Sequence, residues 1–185
     1  VSLGSQSALG ALSAWAEADL LKGCLAASPR VLAVSKKPVD DPELLKAQEA
    51  GRLRVEPWIP QLAVLGHKLV RCFVSHCGAN SAHEGLGQGV PIVPLPFFDD
   101  QWYIAARIEE LFGYSSVAGE AAYQPLRKSL LRQGPAGAAV ANVAEAVRRG
   151  LAVPCEVVER LQRDVRREAG VDTVADMVMS KVGLK

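Results

Sequence analysis

Short apolar runs alternate along the chain with segments in which apolar residues recur every three or four positions. The short runs show no polar alternation, as in CFVS and PIVPL. Runs of this kind are typical of strands in a parallel sheet that is covered on both faces. Six strands are predicted in this way: Val1–Leu3, Arg30–Val34, Leu53–Glu56, Cys72–Ser75, Pro91–Leu95 and Ser115–Val117.

The segments between these strands have helical periodicity. The first helix is predicted from one apolar stripe: Leu9, Leu12, Ala16, Leu20 and Cys24. Further helices are predicted over Pro42–Ala50, from about Asn80, and over Gln101–Leu111. From Ala138 onwards only helical stripes remain: Ala139, Val143, Ala146 and Val147, then Val157, Leu161 and Val165. The alternation predicts an α/β fold in a single domain over residues 1–185: a Rossmann-like open parallel sheet with helices on both faces and a helical tail.

Composition narrows the class of protein. The 185 residues are 49% apolar and 22% charged, which is ordinary for a globular domain. A formal net charge of +1 gives no reason to expect nucleic acid or an anionic membrane as a partner. No apolar run approaches the length of a membrane span, and no signal peptide opens the chain.

The cysteines and the first residue add two expectations. Cys24, Cys72, Cys77 and Cys155 lie far apart, without the paired spacing of a zinc framework. We therefore expect free, buried thiols in a reducing compartment, the cytoplasm, although spacing alone leaves disulfides open. The chain begins with Val rather than Met, and we expect a piece of a longer protein.

The candidate chemistry lies in HCGANSAHEG, which begins at His76. His76 ends a predicted strand, and the carboxyl ends of strands are where open parallel sheets bind ligands. The helix that follows would offer unpaired N–H groups and a positive dipole end to a phosphate. Gly78 would let a ligand approach the backbone, and Asn80 and Ser81 could add side-chain donors. The stretch therefore indicates a phosphate site.

Other interpretations of this stretch exist. Ser81 to Glu84 match the capping box S-x-x-E, which would satisfy the helix start without any ligand. A metal site on His76, Cys77 and His83 would lack a fourth ligand. A nucleophile formed by Cys77 with His76 is disfavoured, because adjacent side chains of a strand point to opposite faces.

A longer pattern surrounds this stretch. EPWIPQLAVLGH precedes it and GVPIVPLPFFDDQ follows it, so that the motif runs from Trp58 to Gln101. Its spacing resembles the signature motif of the UDP-glycosyltransferases of the GT-B fold, and SLGS resembles the first strand and loop of their C-terminal domain. Ala79 departs from the Trp that is usual in plant members. The resemblance implies the C-terminal, donor-binding half of a GT-B fold.

The resemblance also implies a role for each matched residue. Trp58 would stack on uracil, with a core tryptophan as the alternative, and Gln61 and Glu84 would meet the ribose. The remaining implied contacts are to the diphosphate, from Ser5, His76, Gly78, Asn80 and Ser81, and to the sugar, from Asp100 and Gln101. A terminal Gln is the form usual in glucose users, which favours UDP-glucose as donor. His67 is interpreted as a structural histidine.

The resemblance further implies an inverting transferase that moves a hexose from a UDP-sugar to a small-molecule hydroxyl, without a metal. Its general base and acceptor pocket would lie in an N-terminal domain that is absent here, so we expect no catalytic residue in this chain and no activity from it alone. One alternative is a nucleotide-sugar-binding subunit of a two-chain glycosyltransferase. An NAD enzyme is disfavoured, because GSQSALG lacks G-x-G-x-x-G. Asp99 and Asp100 could instead cap a helix, but as sequence neighbours they are badly placed for glycoside hydrolysis.

Overall fold

The computed structural model describes residues 1–4, 12–114, 123–131, 137 and 139–167. Four strands lie in this part of the chain: β1 (Val31–Val34), β2 (Leu53–Glu56), β3 (Phe73–Ser75) and β4 (Ile92–Pro94). It also contains eight helices: α1 (Ala14–Ala27), α2 (Pro42–Glu49), α3 (Gln61–Leu65), α4 (Ala79–Gly87), α5 (Gln101–Phe112), α6 (Gln124–Leu131), α7 (Val140–Leu151) and α8 (Cys155–Arg167). The predicted strand Ser115–Val117 lies outside the described residues.

The segment Val1–Leu3 lies in the middle of the sheet. β1 pairs in parallel with β2, and β3 with β4. Between these pairs, the Ser2 N–H donates to the Val74 carbonyl at 3.0 Å, and the Val34 N–H donates to the Val1 carbonyl at 3.0 Å. A parallel bridge joins Ser2 to Ser75. The order is therefore β2, β1, Val1–Leu3, β3, β4, which is the Rossmann order and confirms the predicted parallel sheet.

Helices cover both faces of the sheet. Successive residues of a strand point to opposite faces, so Phe73 and Ile92 enter one core and Val74 and Val93 the other. Helices α3, α4, α5 and α8 supply the first core, and α1, α2, α6 and α7 supply the second. The predicted layers are confirmed. In the helical tail, Val143, Ala146, Val147 and Leu161 are buried, as their stripes predict.

Local sequence determines where several of the helices begin or end. Asp41 caps α2 by accepting from the N–H groups of Glu43 and Leu44 at 3.0 and 3.2 Å. Gly113 closes α5 with φ of 67°, a left-handed value that favours glycine. The first helix starts later than predicted, at Ala14, because the Ser13 side chain caps it. Leu12 is buried but precedes the helix, and Leu9 lies outside the described residues.

Two expectations from composition are addressed by the structure. All four cysteines are free thiols, as expected, but only Cys24 and Cys77 are buried; Cys72 is half-buried and Cys155 is exposed. Within the described ranges, no helix combines the length and the apolar character that a membrane span requires.

Candidate functional site

The candidate site lies at the carboxyl edge of the sheet, beside β3. Val1–Leu3 and β3 are adjacent, but the chain leaves Val1–Leu3 toward β1 on one side and leaves β3 toward β4 on the other. A crevice opens where the strand order reverses in this way, and it is the usual ligand site of such sheets. His76 and Gly4 follow these two strand ends, so the motif predicted from sequence is at the switch point.

His76 is held between two glycines. Its side chain is only 9% exposed. A Cβ added at Gly4 would lie 2.7 Å from His76 Cε1, and one at Gly78 would lie 2.5 Å from Nε2. Real Cβ atoms do not approach so closely, so both positions require glycine if the ring is to stay where it is. The glycine at position 78, expected to admit a ligand, therefore also admits the imidazole.

The imidazole of His76 is neutral at pH 7. Desolvation lowers its pKa below the ordinary 6.5, while the charge of Asp100 and the nearby Ser2 backbone act in the opposite direction. Nδ1 is buried and has no hydrogen-bond partner in the part of the chain that the structure describes. A buried polar atom without a partner is costly, and a ligand that reached this nitrogen would satisfy it.

Cys77 makes the turn from β3 into α4. Its φ of 63° is left-handed, which is uncommon for a residue other than glycine. The Cys77 N–H donates to Ser75 Oγ at 3.1 Å, and the thiol donates to the Ser75 carbonyl at 3.6 Å. Burial raises the pKa of this thiol to about 12, so it is not a nucleophile.

The metal interpretation fails on geometry. Cys77 is fully buried, whereas His83 is exposed. Among the residues that the structure describes, no group of three His, Cys, Asp or Glu side chains could hold an ion.

The start of α4 is not a capping box. The helix begins at Ala79 with Gly78 as N-cap, and no side chain caps it. Ser81 is therefore inside the first turn, where its hydroxyl accepts from Gln61 Nε2 at 3.2 Å. Glu84 Oε2 accepts from the same nitrogen at 2.7 Å. The capping-box interpretation is wrong because the helix starts two residues before Ser81, and three predicted site residues are instead brought together.

The N-terminus of α4 keeps its unpaired N–H groups. Helical bonding leaves the first-turn amides without intrahelical acceptors, and here no side chain takes them up as a cap. Asn80 is exposed in this turn. The dipole of the helix adds a partial positive charge at the same end. This end of the helix can therefore receive an anion beside His76.

Trp58 follows β2 and projects into solvent. Its side chain is 74% exposed, so the core interpretation is wrong. Three residues later the chain enters α3, a short helix that the apolar pattern did not reveal because it spans only five residues. His67, after α3, is exposed and accepts the Leu69 N–H on Nδ1 at 3.3 Å; its interpretation as a structural histidine stays a prediction.

Asp100 and Gln101 begin α5 in different environments. Asp100 is exposed and its side chain makes no capping hydrogen bond, so it does not serve as a helix cap. Gln101 is 3% exposed, and its Oε1 accepts the N–H groups of Phe97 and Phe98 at 2.8 and 3.4 Å. These bonds orient the amide, so that Nε2 is the group available to a ligand.

Sequence reasoning missed two features of this edge. The contact of Gly4 with His76 depends on the pairing of Val1–Leu3 with β3, for which the sequence carries no local signal. The bonds from Gln61 to Ser81 and Glu84 depend on how α3 packs on α4. Ser5, the remaining predicted site residue, lies outside the described residues.

The fold and the edge site define a Rossmann-like domain with an anion-receiving helix start at its switch point. A family model described as UDP-glucoronosyl and UDP-glucosyl transferase matches residues 17–122. The chain belongs to this family of UDP-glycosyltransferases, and the resemblance noted from the motif is confirmed.

Two relatives illustrate the similarity. The chain is similar to an indole-3-acetate beta-glucosyltransferase of Zea mays, with 39% identity over 61% of this chain and 24% of the relative. It is also similar to a myricetin 3-O-rhamnosyltransferase of Crocosmia x crocosmiiflora, with 47% identity over 35% of this chain and 14% of the relative. Both relatives are plant proteins. The chain spans about a quarter of the length of the maize relative and a smaller share, 14%, of the Crocosmia relative.

Solved structures agree on the fold. A crystal structure of Os79 from O. sativa in complex with UDP superposes with a TM-score of 0.68 at 22% identity, over 94% of this chain and 38% of that chain. A structure of a transferase from Siraitia grosvenorii in complex with UDP gives a TM-score of 0.67 at 22% identity, over 94% of this chain and 43% of that chain. The GT-B architecture expected from the resemblance is confirmed.

Proposed function

We propose that this chain is the donor-binding domain of an inverting glycosyltransferase, which moves a hexose from a UDP-sugar to a small-molecule hydroxyl acceptor. One observation carries the proposal. Motif residues that are distant in sequence converge at the switch point: Gln61, Ser81 and Glu84 are joined by hydrogen bonds, and His76 is packed against Gly78 and Gly4. The solved relatives that share the fold contain UDP.

The proposed contacts follow the geometry of the edge. The exposed indole of Trp58 is free to stack on uracil, and Glu84 accepts from the ribose hydroxyls. The diphosphate lies at the N-terminus of α4, within reach of His76, Asn80 and Ser81, with Ser5 proposed to approach from the first loop. Helix N-termini favour phosphate through their N–H groups and dipole.

The phosphates are proposed to be held by protein donors without a metal ion. Support comes from the donors at this edge: the α4 amides and the Asn80 and Ser81 side chains, beside His76 Nε2, which faces Gly78. All of these can satisfy phosphate oxygens directly. We therefore propose that protein donors, rather than a metal ion, hold the phosphates at this point of the site.

Calorimetric titration of the chain with UDP, in buffer containing either Mg²⁺ or EDTA, tests this proposal. We expect the same affinity in both buffers. Absence of UDP binding in both buffers would refute the function, and binding that disappears with EDTA would refute the metal-free site alone. Titration with ADP under the same conditions is the control for recognition of the base.

UDP-glucose is the proposed donor. Asp100 and Gln101 begin α5 at the same edge, and the exposed carboxylate can accept from sugar hydroxyls while Gln101 Nε2 donates. The maize relative is a glucosyltransferase by name and the Crocosmia relative a rhamnosyltransferase. The transferred sugar therefore differs between these two relatives, and Asp100 and Gln101 are where we expect the choice to be made in this chain.

The reaction needs a general base to take the proton of the acceptor hydroxyl. We propose that this base and the acceptor pocket belong to an N-terminal domain, and that the described chain does not catalyse transfer alone. The chain corresponds to 38% of the rice protein chain, which is consistent with a further domain. The free thiols fit a reducing compartment, and we propose the cytoplasm.

A further inference from the structure

The Gln61 side chain joins two helices at the site. Its Nε2 donates to Glu84 Oε2 at 2.7 Å and to Ser81 Oγ at 3.2 Å. Ser81 and Glu84 are three residues apart on α4 and therefore share one face of that helix. Gln61 is the first residue of α3. A single amide group thus connects the start of α3 to the face of α4 that we assign to the nucleotide.

The donors of this amide are fully used. A glutamine amide nitrogen has two hydrogens, and here each has an acceptor on α4. Gln61 Nε2 therefore has no hydrogen left for a ribose oxygen while these bonds persist. The Glu84 carboxylate has about four acceptor positions, of which Gln61 takes one. It can still accept from two ribose hydroxyls.

The position of the Glu84 carboxylate is otherwise weakly determined. Glutamate is a flexible side chain, and immobilising such a chain costs conformational entropy. Glu84 is half-buried, and no other hydrogen bond or ion pair to its carboxylate occurs within the described residues. A hydrogen bond to a charged group is among the stronger ones in proteins. The bond from Gln61 therefore orients the carboxylate before any ligand arrives, which lowers the cost of binding.

We propose that Gln61 is a positioning residue: it holds the Glu84 carboxylate and the Ser81 hydroxyl in the geometry that receives the ribose and the adjacent phosphate. This inference rests on the proposed function. It differs from the role of direct ribose ligand, because Gln61 acts through Glu84. The consequence is that the two residues are coupled, and that loss of Gln61 weakens discrimination for the ribose hydroxyls.

A double-mutant cycle tests the coupling. UDP affinity is measured calorimetrically for wild type, Gln61→Met, Glu84→Ala and the double variant. Methionine keeps the unbranched shape of glutamine but has no donor. We expect Gln61→Met to weaken UDP binding about tenfold in the wild-type background, and less than about twofold in the Glu84→Ala background. Equal losses in the two backgrounds would overturn the positioning role.

Discrimination for the ribose is the second readout. The same proteins are titrated with 2′,3′-dideoxyuridine diphosphate, which lacks both hydroxyls. Wild type is expected to prefer UDP, and Gln61→Met to lose most of that preference. A merely structural role would weaken both ligands equally and leave the preference intact, which would refute the proposal.

Two controls complete the design. Gln48→Met makes the same change at a half-buried position of α2, a helix that packs in the other core, and should leave UDP affinity unchanged. Thermal melting checks that each variant folds, and Gln61→Leu replaces Gln61→Met if the latter does not. Failure of wild type to bind UDP would refute the proposed function itself, whereas binding by wild type with an additive cycle would refute the positioning role alone.

Discussion

Replacing Trp58 with alanine separates recognition of the base from stability of the fold. The side chain is 74% exposed, so only about a quarter of its surface is removed from water in the free chain. A buried tryptophan removes up to ~250 Å² from water, which makes that quarter about 60 Å². At ~25 cal/mol per Å², the fold loses at most about 1.5 kcal/mol in the variant.

The expected loss of UDP binding free energy is larger than this loss of fold stability. Stacking of a base on an aromatic ring contributes roughly 1–3 kcal/mol. We therefore expect Trp58→Ala to weaken UDP binding roughly tenfold to a hundredfold. Trp58→Phe keeps an aromatic face and should recover part of this affinity. Inorganic pyrophosphate has no base, so its binding should be the same in wild type and both variants.

The assay combines calorimetric titration with urea unfolding of the same samples. The expected result is a large loss of UDP affinity, unchanged pyrophosphate affinity and a small loss of stability. Unchanged UDP affinity in Trp58→Ala would show that the base does not stack on this ring. A parallel loss of UDP and pyrophosphate affinity would show that the substitution distorts the whole edge.

Two further predictions concern the other end of the motif and the buried imidazole. Gln101→Glu keeps an acceptor for the Phe97 and Phe98 N–H groups but removes the Nε2 donor, so it should weaken UDP-glucose binding more than UDP binding without unfolding the chain. In competition against labelled UDP, wild type should prefer UDP-glucose to UDP-galactose and Gln101→His should change that preference; equal affinities in wild type would remove Gln101 from sugar selection. Because the pKa of His76 is lower in the folded chain than its ordinary 6.5, the unfolded chain binds the proton more readily, and stability should fall as the pH falls below about 6.5 through the lowered folded value. Urea unfolding at pH 5 and 7 should show less pH dependence in His76→Gln than in wild type, and an identical dependence would contradict the buried neutral ring.

The layers of the fold could be predicted from the sequence because they rest on local patterns. β2 has the predicted bounds, Leu53–Glu56, and the runs around β3 and β4 differ from prediction only at their ends. The helix α2 could also be predicted, since Pro42 at its start and Gly51 just past its end are local signals. Two predictions that were wrong also rested on local patterns. The helix α1 begins later than predicted because Ser13 caps it, and the S-x-x-E pattern from Ser81 suggested an N-cap about one turn after the actual one at Gly78.

Candidate site residues could be named from the motif, but their mutual contacts could not. The exposure of Trp58, the packing of His76 against Gly4 and the bonds of Gln61 all depend on segments that meet only in the folded chain. Gln101 is the clearest case. The sequence suggested an amide that could both donate and accept, whereas the structure commits its oxygen to the backbone of Phe97 and Phe98.

The central place of Val1–Leu3 in the sheet has a consequence for the order of folding. β1 and β2 can pair early, since they are close in sequence, and so can β3 and β4. These two halves are not joined to each other directly; Val1–Leu3 connects them through contacts to β1 and, far along the chain, to β3. Contacts between such distant segments have a large loop-closure entropy and form slowly. We therefore expect the two strand pairs to form first, and the crevice around His76 to be assembled last, when the central strand unites them.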